Sequence, residues 1–163
     1  MTSIVKQIIS FILPITALII VPSWIQPHWT PRSGVSLIVG VLLIIIGLFM
    51  MILTISSFIR IGQGTLAPWS PTKRLVIKGL YRQVRNPMIL GVLTVLLGEA
   101  LGLRSANILI WAGLFFVINT VYFIAYEEPN LEQRFGDDYR KYKKHVSRWL
   151  PRITPYRQVE NRI

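Results

Sequence analysis

Four stretches of the chain are apolar for long enough to cross a bilayer: Ile4 to Val21, Gly34 to Ile59, Pro87 to Leu103 and Asn107 to Tyr126. A spanning helix needs about 20 mostly apolar residues. The second stretch is long enough to tilt or to run past the hydrocarbon. Pro14 predicts a kink in the first, not its end, because neighbouring helices can satisfy the carbonyl it frees. Only Gly102, Arg104, Ser105 and their neighbours separate the third stretch from the fourth. The two therefore form an antiparallel helical hairpin, which brings Asn86 and Glu127 to one face of the membrane. Beyond the fourth, Leu131, Phe135, Tyr142 and Val146 recur at spacings of four and seven, with Lys141, Lys143 and Lys144 interleaved. That pattern predicts an amphipathic helix on the anionic inner leaflet, with Gly136-Asp137 as a point where it breaks in two. The predicted fold is all-α: an integral membrane protein of about four transmembrane helices, the last two a hairpin, with an amphipathic C-terminal helix. No charge run or linker divides it, so residues 1–163 read as one membrane-embedded domain.

Composition supports the bilayer. Hydrophobic residues make up 52% of the 163 and the mean hydropathy is +0.51, whereas a soluble domain of this size needs more charge on its surface. The net charge of +11 would suggest nucleic acid on a soluble face; here the cations sit between the apolar runs, so no nucleic-acid partner is expected. Of the eighteen Lys and Arg, six lie from Arg60 to Arg85 and nine follow Tyr126. The positive-inside rule then places both termini and the long middle loop in the cytosol, in a bacterial inner membrane or an endoplasmic-reticulum type of membrane. The stretch from Pro22 to Trp29, with two indoles, fits an aromatic belt at the opposite surface. The first run has no small-residue cleavage site and reads as a retained helix. The absence of cysteine excludes thiolate nucleophiles, Cys-ligated metals and disulfides. His28 and His145 lie in separate polar segments, which argues against a metal site.

The polar content crowds the cytosolic ends of the spans. Asn86-Pro87 reads as an N-cap and first helical residue, whose free amides attract a carboxylate or other anion; the plainer reading is a helix start flanked by positive-inside cations. Glu127-Glu128 sits at the other end of the hairpin. A donor-rich helix start facing a carboxylate pair suits a zwitterionic ligand, and simple pairing of the glutamates with nearby Lys or Arg is the plainer alternative. Glu99 is the one ionisable residue well inside an apolar run. It stands about 20 Å along the helix from Asn86, near the opposite interface, and an interfacial or Arg104-paired glutamate is favoured over a substrate or proton contact. Gly34, Gly40 and Gly47 are small-residue positions suited to helix packing within or between chains.

The combination Gly79-x-Tyr81-Arg82-x-x-Arg85-Asn86-Pro87-Met88-x-x-Gly91, then Glu127-Glu128, then Phe135-Gly136-x-x-Tyr139-x-x-Tyr142 resembles the isoprenylcysteine carboxyl methyltransferase and phospholipid methyltransferase superfamily. The resemblance runs from about residue 73 to residue 155, which marks the cofactor-binding region. It implies S-adenosyl-L-methionine as cofactor, held without a Rossmann domain by the ends of the last spans and the tail. The family's Arg-His-Pro-x-Tyr-x-Gly block falls on Arg85, Asn86, Pro87, Ile89 and Gly91, with Met88 between, and its acidic pair on Glu127 and Glu128. Lys73, Arg74, Leu75, Val76 and Tyr81 resemble further cofactor contacts, and Glu127 is assigned to the methionine ammonium.

The sequence departs from the family at three places. Asn86 stands for the usual histidine, Ile89 for a tyrosine, and Val121 to Ile124 lacks the arginine that meets a prenylcysteine carboxylate. A lipid amine, a hydroxyl or a differently held acid is then as suitable an acceptor as a prenylcysteine-like carboxylate. A sulfonium methyl needs alignment and desolvation more than a strong base, and where an acceptor must lose a proton, Glu128 or Tyr81 is the candidate to assist. The composition also admits a small transporter or channel subunit, or a non-catalytic membrane scaffold.

Overall fold

The computed structural model describes residues 12–31, 34–57 and 75–156. Helices and short helical turns make up all the regular structure among them. They are α1 (Ile12–Ile25), α2 (Val35–Ser57), a 3₁₀ turn (Gly79–Arg82), α3 (Pro87–Leu103), α4 (Ala106–Tyr122) and α5 (Glu128–His145).

Two π-helical segments interrupt this pattern, Thr16–Ile20 inside α1 and Phe123–Glu127 between α4 and α5. The N–H of Val21 reaches back to the carbonyl of Thr16, and that of Glu128 to Phe123. Each segment ends two residues before a proline, Pro22 and Pro129. Proline has no N–H to donate, and its ring crowds the carbonyl four residues back. A wider turn admits it without stopping the helix. α1 therefore runs on to Ile25, past both Pro14 and the end expected at Val21. Likewise α4 passes into α5 without a break.

Tight packing is concentrated between α2 and α3. A Cβ built on Gly40 would lie 2.6 Å from the carbonyl oxygen of Gly98, and one on Gly47 2.6 Å from that of Gly91. These glycines let the two backbones touch, which replaces the side-chain burial that drives association in water. Gly40 and Gly47 thus pack helices within the chain. α1, α3 and α4 meet around Ala17, Leu18, Val92, Leu96, Ile108 and Ala112, and the Trp111 indole donates to the Ala17 carbonyl at 3.0 Å. Arg104, left-handed at φ 49°, closes the hairpin. Ser105 then caps α4 by accepting from the Ile108 N–H at 3.3 Å, and its hydroxyl donates to Gln26 at 2.9 Å.

The remaining apolar surface faces outward. Val35, Ile38, Leu42, Ile45, Phe49 and Ile52 of α2 are all exposed, as are Ile110, Leu114, Val117 and Val121 of α4. Such a contiguous apolar belt belongs in lipid. α2 and the run from α4 into α5 are long and apolar enough to cross a membrane. α3, with 17 residues, extends about 25 Å at 1.5 Å per residue and is packed along α2. The chain is an all-helical membrane protein. Trp24 and Trp29, near the hairpin end, are exposed as an aromatic belt requires.

α5 carries the expected amphipathic pattern, and Gly136, at φ 52° and ψ −128°, kinks it where the sequence predicts a break. Its apolar stripe does not lie open to the leaflet. Tyr139, Tyr142 and Val146 are buried against Leu75, Ile77, Leu131, Phe135 and Tyr156. The chain's own flanking segments cover the stripe, because the residues before α3 and after α5 converge at this end.

Candidate functional site

The segment entering α3 and the tail leaving α5 are clasped together. The Arg85 N–H donates to the Ser147 carbonyl at 2.9 Å, that of Arg152 to Gln83 at 3.0 Å, and that of Tyr156 to Arg82 at 2.8 Å. The Arg82 side chain returns a bond to the Tyr156 carbonyl at 2.6 Å. Below this clasp the Tyr142 hydroxyl donates to the Tyr81 carbonyl at 2.6 Å. Val84 is buried at its centre. Backbone groups that would otherwise be orphaned at this helix end find partners in the tail.

Glu128 is the electrostatic hub. Its carboxylate is buried, with side-chain exposure of 4%, and meets Arg85 at 2.9 Å, Arg148 at 2.7 Å and Lys143 at 3.3 Å. Lys143 also reaches Glu132 at 2.7 Å, and Arg85 donates to the Tyr139 hydroxyl at 3.4 Å. A buried carboxylate is tolerated only when cations and hydrogen bonds replace its hydration. Burial alone would raise its pKa, but Arg148, Arg85 and Lys143 outweigh that and hold it below the usual carboxylate range. The same burial pushes the Tyr139 phenol up to about 12. The hub joins three segments: the approach to α3, α5 and the tail.

Glu127, its neighbour, is treated differently. It makes no ion pair among the described residues and accepts one hydrogen bond, from the Tyr122 hydroxyl at 3.2 Å. Tyr122 and Glu127 are five residues apart, the spacing that a π turn, unlike an α turn, brings onto one face. Tyr81 is buried, and burial, then Tyr142, then the charge of Glu127 push its phenol well above its ordinary value. It is therefore a neutral hydroxyl at physiological pH. At the start of α3 two donors end without a partner among the described residues, the Asn86 amide nitrogen and the Arg85 Nε, both shielded from solvent. Asn86 occupies the N-cap position expected of it, but its side chain makes no capping hydrogen bond.

The other residues singled out by sequence fall as follows. Val76 is buried, and Leu75 is half-buried against Tyr139, Tyr142 and Val146, while in the first turn of α3 Pro87 is buried and Met88 and Ile89 are half-buried. Gly91 faces α2, where an added Cβ would lie 2.9 Å from Met51 and 3.0 Å from the Gly47 carbonyl, so in this fold it serves helix packing. Lys73 and Arg74 lie outside the described residues. Glu99 is buried, and one of its oxygens has no hydrogen-bond partner among the described residues. The expected pairing with Arg104 is not formed; that arginine, turned outward by its left-handed backbone, donates to Ser36 at 3.1 Å. Arg148, Lys143, Tyr122 and Tyr156 were not legible as site residues. A lone arginine in an irregular tail carries no periodic signal, and the Tyr122–Glu127 spacing has meaning only once the π turn is known.

The fold and the site together define an integral membrane protein with its polar groups gathered at one end of a helical hairpin, around an acidic pair and a helix start. Residues 35–138 match the phospholipid methyltransferase family, and the chain belongs to it. This is a family of membrane methyltransferases, so membership implies methyl-transfer activity and association with a membrane. The chain is also 45% identical over 65 residues to an uncharacterized protein of Haemophilus influenzae, an alignment covering 39% of this chain and all of that one. No solved structure matches the chain.

Proposed function

We propose that the protein is an S-adenosylmethionine-dependent methyltransferase that modifies a lipophilic acceptor at the cytosolic face of its membrane. One observation supports this reading: of two adjacent carboxylates, Glu128 is fully committed to three cations while Glu127 pairs with none among the described residues. Close by are buried donors without partners among the described residues, on Arg85 and Asn86. An amino-acid moiety needs that combination, a carboxylate for its ammonium and donors for its carboxylate. The residues present therefore fit the cofactor. Glu127 would hold the ammonium, with Arg85 and Asn86 on the carboxylate. Tyr81, Val76, Leu75, Pro87, Met88 and Ile89 would line the remainder.

When bound, the cofactor supplies a methyl group already activated on a sulfonium. The chain's own residues then have to bind, align and exclude water. Glu128, held as a carboxylate by three cations, acts as the anchor that fixes Arg85 and the tail, and is badly placed to accept a proton. Tyr81, kept neutral by burial, serves as a donor that orients what lies beside Glu127. Since Val121 to Ile124 offers no arginine, the acceptor is a membrane lipid amine or hydroxyl in preference to a prenylcysteine carboxylate. The cation-rich end faces the cytosol, with both termini.

Labelled methyl transfer into lipids of a proteoliposome tests the proposal. The wild-type protein should label a chloroform-soluble product, and Tyr81→Phe should lower kcat by roughly ten-fold. A folded protein that labels no lipid would contradict it.

A further inference from the structure

The tail contributes more than the clasp. Three residues beyond the C-terminal end of α5, Arg148 pairs with Glu128 at 2.7 Å, and the chain then turns along α4. The Trp149 ring lies 5.2 Å from Phe116 and 6.0 Å from Phe123. Phe116 and Phe123 stand twelve and five residues before Glu128, about 18 and about 8 Å along a helix rising 1.5 Å per residue. The indole therefore sits on the flank of a spanning helix, beneath the level of the charged hub. Its N–H makes no hydrogen bond to the described residues, so apolar contact alone holds it there. The next apolar residues in the loop are open: Leu150 is 77% exposed and Ile153 98% exposed.

We infer that the loop Trp149–Ile153 is a membrane-inserted wedge, with Leu150 and Ile153 among the acyl chains of the cytosolic leaflet and Arg148 tying the wedge to Glu128. The partner is the lipid bilayer itself. One feature selects it over a soluble protein: the anchoring ring of Trp149, next to the open Leu150, lies along a transmembrane segment. Aromatic and aliphatic side chains beside arginine at a headgroup boundary are the usual chemistry of such insertion. Leu150 is two residues from Arg148, at most about 7 Å of extended chain. A lipid touching the wedge thus borders the carboxylate pair, and the wedge forms a lateral edge to the site. The inference does not depend on the reaction performed there.

The native chain has no cysteine, which permits a direct test on the full protein in phosphatidylcholine–phosphatidylglycerol nanodiscs. Single variants Leu150→Cys and Ile153→Cys carry a spin label, with Lys141→Cys, on the exposed face of α5, as the aqueous reference. The wedge predicts that labels at 150 and 153 collide with dissolved oxygen at least three-fold more than the reference, and with a water-soluble nickel chelate at least three-fold less. In a Trp149→Ala background the Ile153 label should move toward the reference. Accessibility to the chelate equal to that at position 141 would overturn the inference. So would dipolar broadening between labels, which would show a second copy covering the loop. Both positions are exposed, so labelling leaves the packing intact, and cofactor titration of the same samples separates this outcome from any failure of the methyltransferase reading.

Discussion

Arg85, at the approach to α3, and Glu128, at the far end of the hairpin, meet at 2.9 Å with both side chains nearly buried. This pair closes the end of the bundle where the hairpin ends meet. It also distinguishes the two glutamates: Glu128 is held by arginine, whereas Glu127 makes no ion pair among the described residues and is the carboxylate we propose for the ligand.

Removing the structural carboxylate should be expensive. Glu128→Gln leaves a buried arginine without its counter-charge, at a cost of about 3–5 kcal/mol. Arg148→Ala removes one charged hydrogen bond from a partly exposed side chain and should cost about 1–2 kcal/mol. Thermal unfolding in detergent should rank them in that order below the wild type, and equal midpoints for all three would show that the hub carries no stability.

The same hub fixes a pH dependence. Because the Glu128 pKa is lowered in the folded state, its contribution is complete above the unfolded value of about 4.3 and is lost as pH falls through the lower folded value. The melting midpoint should therefore fall more steeply below about pH 4.3 in the wild type than in Glu128→Gln. Parallel profiles would remove Glu128 as the origin.

The glycine contacts give a packing prediction. Gly47→Ala places a methyl 2.6 Å from a backbone oxygen that cannot rotate away, so α2 and α3 must separate, at a cost of about 1–3 kcal/mol. Gly113→Ala meets nothing within 4 Å and should be neutral or slightly stabilising, since alanine favours a helix by up to about 1 kcal/mol. Detergent melts of the two variants that coincide would contradict the α2–α3 interface.

The helices, the start of α3 at Pro87 and the kink at Gly136 were legible because each has a local cause: an apolar run, a proline at the first turn, a glycine in a conformation other residues avoid. So was the convergence of the two hairpin ends, since the connection at Arg104-Ser105 is too short for any other path. What stayed hidden depends on partners distant in sequence. Pro22 and Pro129 look like stops until the π turns that accommodate them are seen. Gly40 and Gly47 show that something packs closely, without showing that it is α3. The α5 stripe reads as a membrane surface because the segments that cover it, near Leu75 and Tyr156, have no periodicity. Arg148 has no sequence signal at all.

Calorimetric titration of the detergent-purified protein with S-adenosylmethionine and S-adenosylhomocysteine, beside Glu127→Gln, tests the central claim most directly. Saturable binding by the wild type is predicted, weakened about 10- to 100-fold in Glu127→Gln, as expected for one charged hydrogen bond to the ligand, with the melting midpoint unchanged. Equal affinity in the variant, or no binding by the folded wild type, would contradict the division of roles between Glu127 and Glu128 on which the proposed function rests.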